Sequence, residues 1–85
     1  MFFIYILKSK KDGKLYIGCT NDLRERFKKH NSGLVKSTKT RKPFNLVYYE
    51  AYASKQDAFK REHNLKLRAK ALRQLIVRIK RSLGY

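Results

Sequence analysis

Apolar side chains occupy every position from Phe2 to Leu7, so Phe2, Ile4 and Ile6 on one face of an extended strand are matched by Phe3, Tyr5 and Leu7 on the other. A strand with two apolar faces belongs inside a sheet, covered on both sides. A second β-rich run, Lys14–Cys19, follows after Lys11-Asp12-Gly13-Lys14. An Asp-Gly step between two such runs predicts a hairpin. A third run, Asn45–Ala53, carries Leu46, Val47, Tyr48, Tyr49 and Tyr52 and completes a three-stranded antiparallel sheet. Its tyrosines suit a core better than base stacking, and Glu50 within it calls for a cationic neighbour.

Between the strands the period lengthens to that of a helix. Asn21 or Asp22 starts the first helix, and Asp22 with Glu25 has capping-box spacing. Leu23 and Phe27 mark its buried stripe; His30 returns to the same side, with Arg26 on the shoulder. Asn31-Ser32-Gly33 ends it. Ser54-Lys55-Gln56-Asp57 caps a second helix, whose Ala58, Leu65 and Ala69 share a narrow sector with Phe59 beside it. Leu72, Leu75, Ile76, Ile79 and Leu83 give a third helix its stripe. The expected architecture is an α/β (α+β) domain spanning residues 1–85, with a small antiparallel sheet and about three helices.

Charge changes this picture. Twenty-two basic and six acidic residues leave a net charge of +16, a density that a polyanion would neutralise. The connection 34–44 interleaves Lys36, Lys39, Arg41 and Lys42 with Ser37, Thr38 and Thr40, a mixture suited to phosphate oxygens. After Glu62 no acid follows, while Lys66, Arg68, Lys70, Arg73, Arg78, Lys80 and Arg81 do. Lys36, Thr38, Lys39, Arg41, Lys66 and Lys70 are therefore the candidate nucleic-acid contacts. The longest apolar run falls far short of the ~20 residues of a membrane span. A single cysteine forms no internal disulfide and fits a reducing, cytoplasmic setting. Clustered Cys and His for zinc, and a glycine-rich phosphate loop, are both missing.

Among the acids, Asp12, Asp22, Glu25 and Asp57 have turn, cap or surface explanations, whereas Glu62 falls about 40° from Ala58, inside an apolar sector. A carboxylate there needs a metal ion or a buried arginine as partner. His63 points nearly a right angle away, toward solvent.

Tyr5, Tyr16-Ile17-Gly18, Arg26 and Glu62 together resemble the signature of the GIY-YIG nuclease family, above all its small single-domain members, over Phe2 to about Ile76. There are two departures. The first motif reads Phe-Ile-Tyr, and Cys19 stands where the excision-repair branch usually has lysine. The resemblance implies a metal-dependent endonuclease with Tyr5, Tyr16, Arg26, His30 and Glu62 at the catalytic site and one Mg²⁺ or Mn²⁺ on Glu62. It implies DNA as partner, branched or damaged DNA included, with RNA left open, and neither a membrane nor a small-molecule cofactor; oligomeric state is not written in it. The residues alone leave either phenol or the His30 imidazole as general base; a phenol would need its pKa well below ~10, which nearby cations favour. They also leave open a binding module without turnover, and a structural ribosome- or nucleoid-associated protein.

Overall fold

The computed structural model describes residues 1–84, which form a three-stranded sheet and three α-helices. Strands β1 (Phe2–Ser9), β2 (Leu15–Thr20) and β3 (Phe44–Tyr52) stand in the order β2-β1-β3, all antiparallel. The central place of β1 accounts for its two apolar faces: Ile4, Tyr5, Ile6 and Leu7 are all almost fully buried. Ile4 and Ile6 pack with Ala58, Leu65, Leu75, Ile79 and Leu83 from the C-terminal helices. Tyr5 and Leu7 face the other way, into a smaller cluster with Phe44, Tyr16, Leu23 and Phe27. The two sheet faces therefore have separate cores.

Helix α1 (Leu23–Asn31) begins where expected. The Asp22 carboxylate accepts the Glu25 N–H at 3.1 Å, satisfying one of the open donors of the first turn. It ends in a Schellman motif around Gly33, whose φ of 76° suits glycine. The Leu34 N–H donates to Lys29 O at 3.0 Å and the Gly33 N–H to His30 O at 3.3 Å. Helix α2 (Lys55–Leu67) is capped by Ser54, whose hydroxyl accepts the Asp57 N–H. Arg68 then leaves helical geometry, at φ −113° and ψ 100°, before α3 (Ala69–Arg78). That break exposes Ala69, which the helical periodicity had placed in the buried sector. Ile79 and Leu83 are buried as the stripe predicts, although the helix stops at Arg78 and turns carry the chain on.

The strand register fixes which side chains meet. Tyr5 lies opposite Gly18 and Leu7 opposite Tyr16, so both phenols share one sheet face. A Cβ at Gly18 would lie 2.3 Å from both Cζ and Oη of Tyr5, so the phenol rests directly on the β2 backbone. Any side chain at 18 would evict it. Gly18→Ala should destabilise the fold by ~1–3 kcal/mol, the usual penalty of overpacking a rigid core. In a domain of this size that lowers the thermal midpoint by roughly 5–20 °C. Calorimetry checks this; an unchanged midpoint would mean that Tyr5 is free to move.

Candidate active site

The buried floor of the site is a chain of three side chains. Tyr5 Oη lies 2.8 Å from His30 Nε2, and His30 Nδ1 lies 2.8 Å from Thr38 Oγ1. Tyr5 is 1 % exposed, and His30 and Thr38 are 0 % exposed. The Thr38 hydroxyl has the Val35 carbonyl as its acceptor at 3.4 Å, which leaves a lone pair for a proton on His30 Nδ1. In that tautomer Nε2 is bare and accepts the hydrogen bond that the Tyr5 hydroxyl donates. Tyr16 closes the group, its ring 5.0 Å from His30 and 6.4 Å from Tyr5.

Burial keeps this group neutral. Desolvation, reinforced by the positive charge of Arg26, lowers the His30 pKa from 6.5 to about 4. Burial also raises the Tyr5 pKa, and Arg26 pulls the other way without cancelling it. The expectation that neighbouring cations would favour a Tyr5 phenolate is thus reversed: removal from water outweighs them. Arg26 itself is held charged chiefly by its approach to the Tyr5 hydroxyl. Its Nε is buried without a hydrogen-bond partner among the described residues, a donor oriented by the fold but not used by it.

Glu62 lies on α2, which packs on the Ile4–Ile6 face of the sheet through Ala58 and Leu65. The Glu62 carboxylate adds negative potential at both Tyr5 and Cys19. Burial together with Glu62 keeps the Cys19 thiol above its usual pKa. Glu62 is not the partner of a buried arginine. It pairs with Lys66 one turn on, at 3.1 Å, with a side chain 23 % exposed. The half-buried carboxylate–arginine pair is instead Glu50–Arg61, at 2.6 Å, where Tyr48 and Tyr52 also donate to the carboxylate. Burial alone would raise the Glu50 pKa, but those bonds outweigh it and hold the carboxyl below its ordinary value. Glu50 thereby gets the cation that its position predicted, and α2 is tied to β3 one residue before Glu62.

Two candidate phosphate contacts lie elsewhere than expected. Thr38 points inward onto His30 and is closed to solvent. The segment around it is a folded turn, anchored by buried Val35 and Thr38 and followed by a 3₁₀ turn at Lys39–Arg41. Arg41 is half-buried, pairs with Asp12 at 3.0 Å and sits over the Phe44 ring, so it pins this segment to the hairpin. Lys36, Lys39, Lys66 and Lys70 are exposed. His63 is exposed as well.

A cleft of about 370 Å³ opens at the C-terminal end of β2, lined by Thr20, Asn21, Arg26, Lys55 and Phe59 among others. Lys55 and Phe59 were not singled out from the sequence as site residues. The signal was present: Lys55, Phe59, Glu62 and Lys66 fall within a sector about 60° wide at ~100° per residue.

As an oxygen donor set, a lone accessible carboxylate fits Mg²⁺ or Mn²⁺, which retain water and share substrate phosphate. It does not fit a cage of several protein ligands. Among the described residues no group of three or more His, Cys, Asp or Glu converges to hold an ion.

The chain is similar to known proteins over most of its length. The GIY-YIG catalytic domain family model matches residues 1–75. UPF0213 proteins from Staphylococcus aureus strains Mu3 and Mu50 are each 48 % identical over 65 residues, covering 75 % of this chain and 78 % of theirs. The solution NMR structure of a UPF0213 protein from Bacillus halodurans is 41 % identical, with a TM-score of 0.57, and covers 91 % of this chain and 84 % of that one.

The depressed His30 pKa has a signed consequence for stability. Between about pH 6.5 and 4 the unfolded chain takes up a proton at this position and the folded chain does not, so stability falls as pH falls through that window. The loss amounts to ~3 kcal/mol at most. His30→Gln, which keeps hydrogen-bonding groups and does not titrate, should flatten this part of the stability–pH curve relative to the parent. Denaturant titrations at pH 7, 5.5 and 4 check it; parallel curves for the two proteins would contradict the assignment.

Proposed function

The chain belongs to the GIY-YIG family, and from that premise we propose that it is a divalent-metal-dependent endonuclease that hydrolyses phosphodiester bonds in DNA. What supports this reading is the buried Tyr5–His30 hydrogen bond, an Arg26 whose Nε is buried without a partner among the described residues, and a Glu62 carboxylate that is part-exposed on α2 and adds negative potential at Tyr5. Each group meets a separate need of the reaction.

The scissile phosphate is held by Arg26, whose planar guanidinium can grip two oxygens and offset charge developing at phosphorus. Glu62 would hold Mg²⁺ or Mn²⁺, which when bound supplies Lewis-acid stabilisation at the leaving oxygen. Tyr16, at the half-buried edge of the group, orients the attacking water. That water gives a proton to Tyr5 Oη as Tyr5 passes its own to His30 Nε2. This transfer needs no resting phenolate, which suits the raised pKa of Tyr5. A substrate phosphate beside Arg26 also offsets the positive charge that depresses His30, so imidazole basicity rises when substrate is present. Thr38 Oγ1 accepts a hydrogen bond from the Nδ1–H, which stays on His30, and keeps Nε2 turned to the phenol. The exposed Lys36, Lys39, Lys66 and Lys70 provide phosphate contacts along the strand, and the +16 charge makes affinity steeply salt-dependent.

Plasmid nicking with Mg²⁺ or Mn²⁺, against an EDTA control, tests the activity. Glu62→Gln should abolish metal-dependent nicking while leaving thermal stability nearly unchanged, because an i,i+4 surface pair is worth only ~0.3–0.5 kcal/mol. A well-folded Glu62→Gln protein nicking at the parental rate would remove Glu62 from the mechanism. Arg26→Lys keeps the charge but loses the fork; cleavage should fall ~10²-fold or more with little change in DNA affinity. Equal losses of binding and turnover would make Arg26 a docking residue.

A further inference from the structure

The cleft at the end of β2 contains more than phosphate chemistry. Phe59 is 49 % exposed on its wall, a large aromatic ring left in water on a helix whose apolar contacts lie elsewhere. Lys55 Nζ stands 5.3 Å from the centre of that ring. Arg26 lines the same cleft, with Thr20 at the end of β2 and Asn21 on the turn into α1. We propose that this cleft binds an unpaired nucleobase of a DNA strand, stacked on Phe59, next to the phosphate held by Arg26. The inference rests on the nuclease reading for that phosphate and adds the class of substrate.

The chemistry of the walls selects this occupant. An exposed aromatic ring with Lys55 at its side, in a cleft that Arg26 also lines, complements a flat π-system carried on a phosphate backbone, and base–aromatic stacking is tolerant of base identity. The same cations disfavour a basic peptide. Asn21 offers an amide that can both donate to and accept from a base edge. The volume, about 370 Å³, falls in the range of small-ligand sites, ~300–1,000 Å³. Within a duplex every internal base has both faces covered by its neighbours, so the Phe59 ring reaches only a base that has left the stack. The favoured substrate is accordingly DNA whose nucleotide beside the attacked phosphate is unpaired: a branch, a flap, a gap, or an extruded position. Lys55, Phe59 and Glu62 share one face of α2, so stacking also places the strand along the carboxylate.

The test is equilibrium binding in EDTA, where cleavage plays no part, to a labelled single-stranded DNA oligonucleotide and to a blunt duplex of the same sequence. Phe59→Ala should weaken single-strand binding roughly 5- to 100-fold, the effect of removing one stacking platform, and leave duplex binding at the parental value. Phe59→Tyr, which keeps the ring and controls for folding, should bind both ligands as the parent does. Equal losses on single strand and duplex, or no loss on either, would overturn the proposal. A loss seen only with single-stranded RNA would overturn DNA as the strand. Because the assay needs no turnover, an inactive protein can still show the base site, and an active nuclease can still lack it.

Discussion

The hydrogen bond between Tyr5 Oη and His30 Nε2, 2.8 Å long and closed to solvent, is the constraint on which the rest of the arrangement depends. It joins the central strand to the last turn of α1, and each neighbouring feature serves to keep it. Gly18 leaves the only space in which the phenol can lie against β2. The Schellman turn at Gly33 sends the chain back so that Thr38 meets the other nitrogen of the imidazole. Stranding a buried polar group costs about 1–3 kcal/mol, so losing any member of the chain penalises the others. The same burial makes the pair neutral at rest, and this is why the chemistry assigned to it is a concerted transfer through Tyr5.

A second constraint acts from α2. Glu50 takes Arg61 out of circulation on the sheet, fixing the rotation of the helix. With Arg61 turned to β3, the next residue, Glu62, falls on the face of α2 that also carries Lys55, Phe59 and Lys66. Two carboxylates twelve residues apart thus do different work. One is spent on an arginine and two tyrosines; the other has only a partly exposed lysine and remains available to an ion.

Much of this was legible in the sequence. The two-faced pattern of Phe2–Leu7 announced a central strand, whereas the register that puts Tyr5 and Tyr16 on one face belongs to the folded hairpin. Asp22 and Ser54 cap the helices as their side-chain chemistry dictates. Glu62 stood out because no turn, cap or surface explained it. What escaped depends on tertiary contacts. A hydroxyl among lysines reads as a phosphate ligand, and only the folded turn shows Thr38 committed to His30. Arg41 finds Asp12 across 29 residues, a distance over which sequence periodicity says nothing. The helix break at Arg68 has neither glycine nor proline to mark it, so Ala69 was placed with the buried sector. The sign of the Tyr5 shift turned on how much water the fold removes, which charge counting does not reveal.

The proposal on which the rest turns is that Glu62 holds the divalent ion. The most direct measurement is a Mn²⁺ titration followed by amide NMR, with an uncleavable DNA strand present to complete the coordination. Paramagnetic broadening should appear first on α2 around Phe59–Lys66 and at Cys19 on β2, and should vanish in Glu62→Gln. Broadening centred instead on Asp12, Glu25 or Asp57, and unchanged in Glu62→Gln, would contradict the account.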